Sequence, residues 1–97
     1  MITLSKSNRK DKKFKVIVGN KTINFGAKNM SDFTLHKNQL RKNNYIKRHQ
    51  KNENWNKSGI QTAGFWSKNI LWNKPTLSES IRNTEEKFNI KIKRLKN

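Results

Sequence analysis

The chain has 97 residues, no cysteine and only 31% hydrophobic residues, so we expect one small domain with a limited core and exclude disulfides and thiolate metal sites. Its 23 Lys and Arg residues outnumber six Asp and Glu residues, and the resulting formal net charge of +17 makes nucleic acid the expected partner. An anionic membrane surface is the weaker alternative, since we find no basic amphipathic helix with a clean apolar face, no signal peptide and no apolar run of membrane-spanning length.

The N-terminal part of the chain divides into an arm and a hairpin. Residues 1–12 are polar, basic and without clear periodicity, which predicts a flexible basic arm ahead of a single α+β domain over residues 13–97. Phe14–Val18 and Lys21–Phe25 are β-rich runs that flank Gly19-Asn20, a pair suited to a tight turn. The turn sets a register that pairs Val18 with Lys21, Val16 with Ile23 and Phe14 with Phe25.

The next segment, from Phe33 to about Lys51, is compatible with one basic helix that Ser31 or Asp32 can cap. Its apolar stripe is narrow, so most of its surface faces solvent or a ligand. We predict it as the phosphate-contacting element, although a merely solvated face fits the pattern equally well. Its cations are Lys37, Arg41, Lys42, Lys47, Arg48 and Lys51.

All three tryptophans lie between Glu53 and Pro75. Ala63–Trp72 predicts a short central helix with Thr62 as its N-cap, and its large rings are expected to form the core. Trp55 has a polar setting that includes Lys57, which allows a second interpretation, a stacking platform for an exposed base. Lys57 joins the candidate phosphate contacts.

The C-terminal part predicts a helix and a strand. Thr76 and Glu79 have capping-box spacing, so their side chains should satisfy each other's backbone amides at the start of a helix over about Leu77–Phe88. Asn89–Leu95 alternates apolar and basic residues, which predicts a third strand added to the hairpin, with Lys91 and Lys93 outward as further phosphate contacts. The expected fold is α+β, with a three-stranded antiparallel sheet and about three helices on one face, in the order β-β-α-α-α-β.

The segment from Ile23 to Ile81 also resembles a family of small basic proteins encoded by giant double-stranded DNA viruses of the mimivirus kind. This resemblance implies a viral source, with a place in the virion or in a viral factory in the host cytoplasm, and it carries no catalytic residues over. The residues that support it are Phe25-Gly26, Asp32, His36, Tyr45, Arg48-His49, Glu53-Asn54-Trp55, Ser58-Gly59, Thr62–Trp66 and Leu71–Pro75.

Two groupings invite a chemical interpretation. His36 and His49 with Asp32 could hint at a metal or nuclease site, but about 140° separates the histidines round a continuous helix, so they would not converge unless the helix breaks. We therefore expect no metal, no cofactor and no enzymatic activity. Arg48, Glu53 and Trp55 could instead form a packing unit, in which the Arg lies against the indole and pairs with the carboxylate.

Two functional hypotheses remain from the sequence. In the first, the protein binds double-stranded DNA nonspecifically and coats or condenses a viral genome, through the segment from Lys37 to Lys51, Lys91, Lys93 and the N-terminal arm, with Lys57 and Trp55 as further candidates. In the second, a small structural virion protein binds acidic surfaces of capsid or core proteins, with Trp55 as an interface anchor. The sequence leaves open the choice of DNA or RNA and the oligomeric state.

Overall fold

The computed structural model describes residues 2–95, which form an α+β domain built on one four-stranded sheet. The strands are β1 (Ile2–Lys6), β2 (Lys12–Val18), β3 (Lys21–Ala27) and β4 (Ile92–Arg94), in the spatial order β3-β2-β1-β4. β2 pairs antiparallel with both β1 and β3, whereas β4 pairs parallel with β1. The predicted α+β class is confirmed, but the predicted three-stranded antiparallel sheet is wrong, because the sheet is mixed and has a fourth strand.

The additional strand, β1, comes from the segment predicted as a flexible arm. Ile2 and Leu4 are buried in the core, and β1 lies between β2 and β4 in the middle of the sheet. The side chains of Ile2 and Leu4 point to the core face of the sheet. Thr3 lies between them on the other face, because successive side chains of a strand alternate between its two faces. Hydrophobic burial on one face thus incorporates the basic N-terminal segment into the fold.

The predicted hairpin of β2 and β3 is confirmed in its register, which pairs Val18 with Lys21, Val16 with Ile23 and Phe14 with Phe25. Gly19 in its turn has φ +61°, a conformation that glycine adopts without steric cost. Gly26 near the end of β3 has φ +79°, and a Cβ there would lie 2.6 Å from Leu71 Cδ1. The hairpin therefore fits closely against the helical layer at Gly26.

The predicted basic helix is two helices, α1 (Phe33–His36) and α2 (Gln39–His49). Lys37 ends α1 in the left-handed conformation with φ 54°, and the Asn38 side chain caps α2 by accepting from the Arg41 amide. Asp32 caps α1 by accepting from the Thr34 amide. The break separates α1 from α2, and Tyr45 is the buried residue of α2.

The tryptophan-rich segment folds into a one-turn 3₁₀ helix, Lys57–Gly59, followed by α3 (Ala63–Trp66), which continues as a π-helical segment over Ser67–Leu71. Thr62 caps α3 by accepting from the Phe65 amide, as predicted. The wider π turn is stabilised by Asn69, whose side-chain amide donates to the Phe65 carbonyl at 2.9 Å. This buried bond satisfies a carbonyl near the change of helical geometry.

The last helix, α4 (Leu77–Phe88), has the predicted bounds. Thr76 accepts from the Glu79 amide as the capping box requires, but the Glu79 carboxylate accepts from the Thr76 hydroxyl and not from its amide.

The core joins the sheet to these helices, since Val16, Phe25 and Trp66 are fully buried in one cluster with residues of α4. No helix within residues 2–95 combines the length and the apolar character needed to cross a bilayer.

The C-terminal strand is shorter than predicted and has a different partner. β4 covers Ile92–Arg94 and pairs with β1, not with the hairpin. Ile92 is buried, while Lys91 and Lys93 are exposed, which confirms the predicted orientation. Residues 96 and 97 and residue 1 of the predicted arm lie outside the described residues.

Candidate nucleic-acid interface

A basic groove runs beside α2 and is lined by three of the predicted phosphate contacts. Its open part, which we name the outer groove, has a volume of about 530 Å³. α2 contributes Arg41, Asn44, Lys47 and Arg48, and the rest of the lining is Met30, Ser31 and Trp72. Among residues 2–95, no carboxylate lines the outer groove, so none of the described acidic side chains neutralises its cations from within it.

A more enclosed cavity of about 380 Å³ lies beside the outer groove, and we name it the inner pocket. Met30, Ser31, Arg48 and Trp72 line both parts, so the two spaces are adjacent. The charged or titratable side chains of the inner pocket are Lys12, Lys13, Asp32, Tyr45, Arg48, His49 and Glu53. Gly26, Gly64 and Ser67 are among its small lining residues.

A stack of rings supports the wall of the groove. Tyr45 of α2 lies parallel to Trp72, with ring centroids 4.3 Å apart and an interplanar angle of 2°. His49 stacks on Tyr45 at 4.3 Å, and His36 lies 5.3 Å from Trp72 at an angle of 59°. Burial raises the pKa of the Tyr45 hydroxyl well above its ordinary value, so this ring stays neutral. The stack fixes α2 against the segment that follows the π turn.

Glu53 connects His49 to Trp55. One carboxylate oxygen lies 3.1 Å from His49 Nδ1, and the other accepts from Trp55 Nε1 at 3.0 Å. Gly64 makes room for this carboxylate, because a Cβ there would lie 2.8 Å from Glu53 Cδ. The predicted packing unit is therefore correct for Glu53 and Trp55 but wrong for Arg48, because His49 takes the place beside the carboxylate.

Lys13 and Asp32 form a buried ion pair below the groove, with 2.5 Å between Lys13 Nζ and Asp32 Oδ2. Only 13% of the Lys13 side chain and 3% of the Asp32 side chain are exposed. Asp32 also accepts from the amide and hydroxyl of Thr34, so its carboxylate has three donors. This pair joins β2 to the start of α1 and adds no net charge to the groove.

The predicted phosphate contacts of the basic segment divide into two groups. Arg41, Lys47 and Arg48 are exposed and line the outer groove. The ammonium groups of Lys37 and Lys42 instead bond to carbonyls of the protein. Lys37 Nζ donates to those of Thr34 and Pro75, and Lys42 Nζ donates to that of Asn73 at 2.6 Å. Burial, and then the neighbouring Lys74, lower the pKa of Lys42.

The remaining predicted cations lie outside the groove lining. Lys51 follows α2 and Lys57 begins the 3₁₀ turn, and both are exposed. Lys91 and Lys93 lie at β4, whereas the groove meets the sheet at β2 and β3, on the opposite side of the strand order. The structure thus gathers a subset of the predicted contacts in one place and leaves the others distributed over the surface.

The tryptophan at the groove is Trp72, not Trp55. Trp55 is held by Glu53, and Lys68 Nζ lies 5.5 Å from the centroid of its ring. Trp72 lines both the outer groove and the inner pocket. Sequence reasoning missed it because Trp72 reaches the groove only through its stack on Tyr45, a contact between distant parts of the chain.

His36 and His49 lie on different helices because the break at Lys37 separates them. They contact opposite members of the Tyr45 and Trp72 stack, and the described residues 2–95 contain no group of three or more His, Cys, Asp or Glu side chains placed to hold a metal ion. The geometry therefore uses both histidines in packing around the aromatic stack.

The hydrogen bonding of His36 predicts a pH dependence of stability. The Asn38 amide donates to His36 Nδ1 at 2.9 Å, so Nδ1 must be unprotonated, and burial followed by the nearby Arg41 lowers the pKa of His36 from its ordinary 6.5. As the pH falls below 6.5, the unfolded chain binds a proton at His36 before the folded chain does, and stability decreases. Above pH 6.5, the contribution of neutral His36 to stability should be fully present.

Urea unfolding at pH 7.5 and 5.0 measures this effect. His36→Asn is the control, since its side-chain oxygen can accept from the same amide and does not titrate. The variant should lose less stability than the wild type over this interval. An equal loss in both proteins would show that His36 is not responsible.

The comparisons with known proteins give one family. Residues 2–49 match a family of unknown function, DUF5754. No curated protein and no solved structure matches the chain. The matched residues include β1 to β3, α1 and α2, and therefore the groove cations of α2, but not Trp72. The similarity is confined to these residues and assigns no activity to the chain.

Proposed function

We propose that this protein is a non-enzymatic nucleic-acid-binding protein that binds double-stranded DNA without sequence preference through the outer groove. The proposal rests on one observation: Arg41, Lys47 and Arg48 lie side by side on a concave surface that no carboxylate of residues 2–95 lines. Arg41 and Arg48 are separated by about 10 Å along the helix axis. One DNA strand presents a charge about every 3.4 Å along its axis, so this spacing suits several consecutive phosphates.

The kind of cation supports binding without base readout. The net charge of +17 rests on 23 Lys and Arg residues distributed over the chain, and the groove cations sit on a helix without carboxylates in its sequence. Lys47 is a point charge that suits phosphate, and the arginines bind phosphate oxygens in pairs. The resemblance to proteins of giant viruses adds the proposal that the DNA is a viral genome, bound in the virion or in the viral factory.

Removing the groove cations should weaken DNA binding. The variant Arg41→Gln/Lys47→Gln/Arg48→Gln is expected to lose affinity for a duplex by on the order of 100-fold near 0.1 M salt, because each lost phosphate contact removes a counterion-release term of about 0.9 in the salt slope. The slope of log K against log salt should become shallower by about 2 to 3. Fluorescence anisotropy over a salt titration, on two unrelated duplexes and one single strand, measures both quantities.

A matched variant distinguishes the groove from the total charge. Lys91→Gln/Lys93→Gln/Arg94→Gln removes the same charge, from +17 to +14, at β4. It should retain most of the affinity and the slope. Equal losses in both variants would argue against the groove as the site. Weak binding of the wild type at physiological salt would reject the proposal in favour of the second hypothesis, a structural virion protein that binds acidic surfaces of capsid or core proteins.

A further inference from the structure

The inner pocket contains two cationic side chains that form no ion pair within residues 2–95. Its two carboxylates are satisfied: Asp32 accepts from Lys13 and Thr34, and Glu53 contacts His49 and Trp55. Lys13 is neutralised in this way. Lys12 and Arg48 line the same pocket and make no ion pair or side-chain hydrogen bond within residues 2–95. The pocket therefore presents two cations without a direct ionic partner, and with the carboxylate of Glu53 its lining has one net positive charge.

Uncharged donors accompany these cations. Glu53 lies beside His49 Nδ1 at 3.1 Å, and the Nε2 atom of this ring has no hydrogen-bond partner within the described chain. The bond to Glu53 fixes the ring orientation and uses the proton on Nδ1, so Nε2 of the neutral ring is an acceptor and not a donor for phosphate. The hydroxyls of Ser31 and Ser67 also line the pocket. Two cations and two hydroxyls are groups that donate to the several oxygens of a phosphate.

The size of the pocket limits what can bind there. A volume of about 380 Å³ lies near the lower end of the range of about 300 to 1,000 Å³ found for small-molecule sites. A duplex can lie along the outer groove, but it is too wide to enter a space of this size. A single nucleotide or the end of a strand can enter it, with its sugar or base directed toward Trp72, which also lines the outer groove.

We propose that the inner pocket is a subsite for a phosphate monoester, with Lys12 and Arg48 as its charged ligands and with Ser31 and Ser67 as further donors. The ligand class is a 5′-nucleotide or the terminal phosphate of a nucleic-acid strand, which share this chemistry. This inference rests on the proposed function in one respect, that nucleic acid is taken as a source of the phosphate. The outer groove binds phosphates within a nucleic-acid strand without selection. The inner pocket adds a preference for the phosphate at the end of a strand.

The first experiment compares thymidine 5′-monophosphate with thymidine by calorimetry or NMR titration of the full-length protein. The nucleotide should bind at least tenfold more tightly than the nucleoside. Lys12→Gln, which changes the inner pocket alone, should weaken nucleotide binding by about tenfold, because a charge-assisted hydrogen bond is lost. Lys47→Gln, which changes the outer groove alone, should leave nucleotide binding within twofold.

The same two variants separate this inference from the proposed function. For a long duplex, Lys47→Gln should weaken binding and Lys12→Gln should have little effect. Equal affinities for nucleotide and nucleoside, or equal losses from both variants, would overturn the phosphate subsite while duplex binding still stood. A preserved nucleotide preference in a protein that fails to bind duplex DNA would support the subsite and reject the proposed function.

A second comparison identifies the source of the phosphate. Short single strands that differ only in a 5′-phosphate should differ in affinity, and Lys12→Gln should remove the difference, if the pocket captures strand ends. If the strands bind alike while the nucleotide preference and its dependence on Lys12 persist, the ligand is a free nucleotide, and the phosphate subsite is still supported.

Discussion

Replacing Lys13 with methionine is expected to lower the free energy of unfolding by about 3 to 5 kcal/mol, because it leaves the carboxylate of Asp32 buried without its cation. Asp32 would retain only the amide and hydroxyl of Thr34 as donors, at a position where 3% of the side chain is exposed. The total stability of a small domain is about 5 to 15 kcal/mol, so the loss should be evident in the urea midpoint.

The control for this variant is Lys15→Met on the same strand. Lys15 Nζ donates only to Asn8 Oδ1, at an exposed position, so its removal should cost less than about 1 kcal/mol. The double variant Lys13→Met/Asp32→Asn should recover part of the loss, because no unpaired charge remains buried. Equal midpoints for Lys13→Met and Lys15→Met would show that the Lys13 and Asp32 pair is not the buried link described above.

Trp66→Ala is expected to destabilise the protein by about 3 to 5 kcal/mol, the usual cost of truncating a large buried aromatic side chain. Trp66 is fully buried, contacts the edge of Phe65 at 5.0 Å between centroids, and donates from Nε1 to the Ile60 carbonyl at 2.7 Å. The variant thus loses apolar contacts and leaves a carbonyl without its donor. Far-UV circular dichroism during urea unfolding measures the change without relying on tryptophan emission.

Two further variants separate the contributions at this position. Trp66→Phe keeps most of the apolar volume and removes the donor to Ile60, so it should cost less than the alanine variant. Trp55→Ala should cost less still, because Trp55 is only partly buried and contacts the surface residues Glu53 and Lys68. If Trp55→Ala were the more damaging of the two alanine variants, the assignment of the core to Trp66 would be wrong.

The sequence predicted best those elements whose signals are local. The hairpin follows from two β-rich runs around Gly19-Asn20, and α4 follows from the cap at Thr76 and a regular apolar stripe. β1 was missed although Ile2 and Leu4 alternate with polar residues, because the surrounding basic residues suggested a disordered arm. Its position in the sheet depends on β4, about 90 residues away in sequence, and no local pattern encodes that pairing.

The candidate site was predicted only in part, for a similar reason. The cations of α2 were visible in the sequence, but which of them face the groove depends on the break at Lys37, where an ordinary lysine adopts φ 54°. The role of Lys42 inside the structure depends on the Asn73 carbonyl, and the position of Trp72 depends on Tyr45. Such contacts join segments about 30 residues apart, so periodicity within a single segment cannot indicate them.

An NMR titration of the isotope-labelled protein with a short DNA duplex at low salt locates the DNA-binding surface residue by residue. We expect the largest shifts at the backbone amides of Arg41, Asn44, Lys47 and Arg48 and at the indole N–H of Trp72, which line the outer groove. Shifts of β4 residues should be small. Shifts centred on Lys91 and Lys93, with the groove residues unchanged, would contradict the assignment of the groove as the DNA-binding surface.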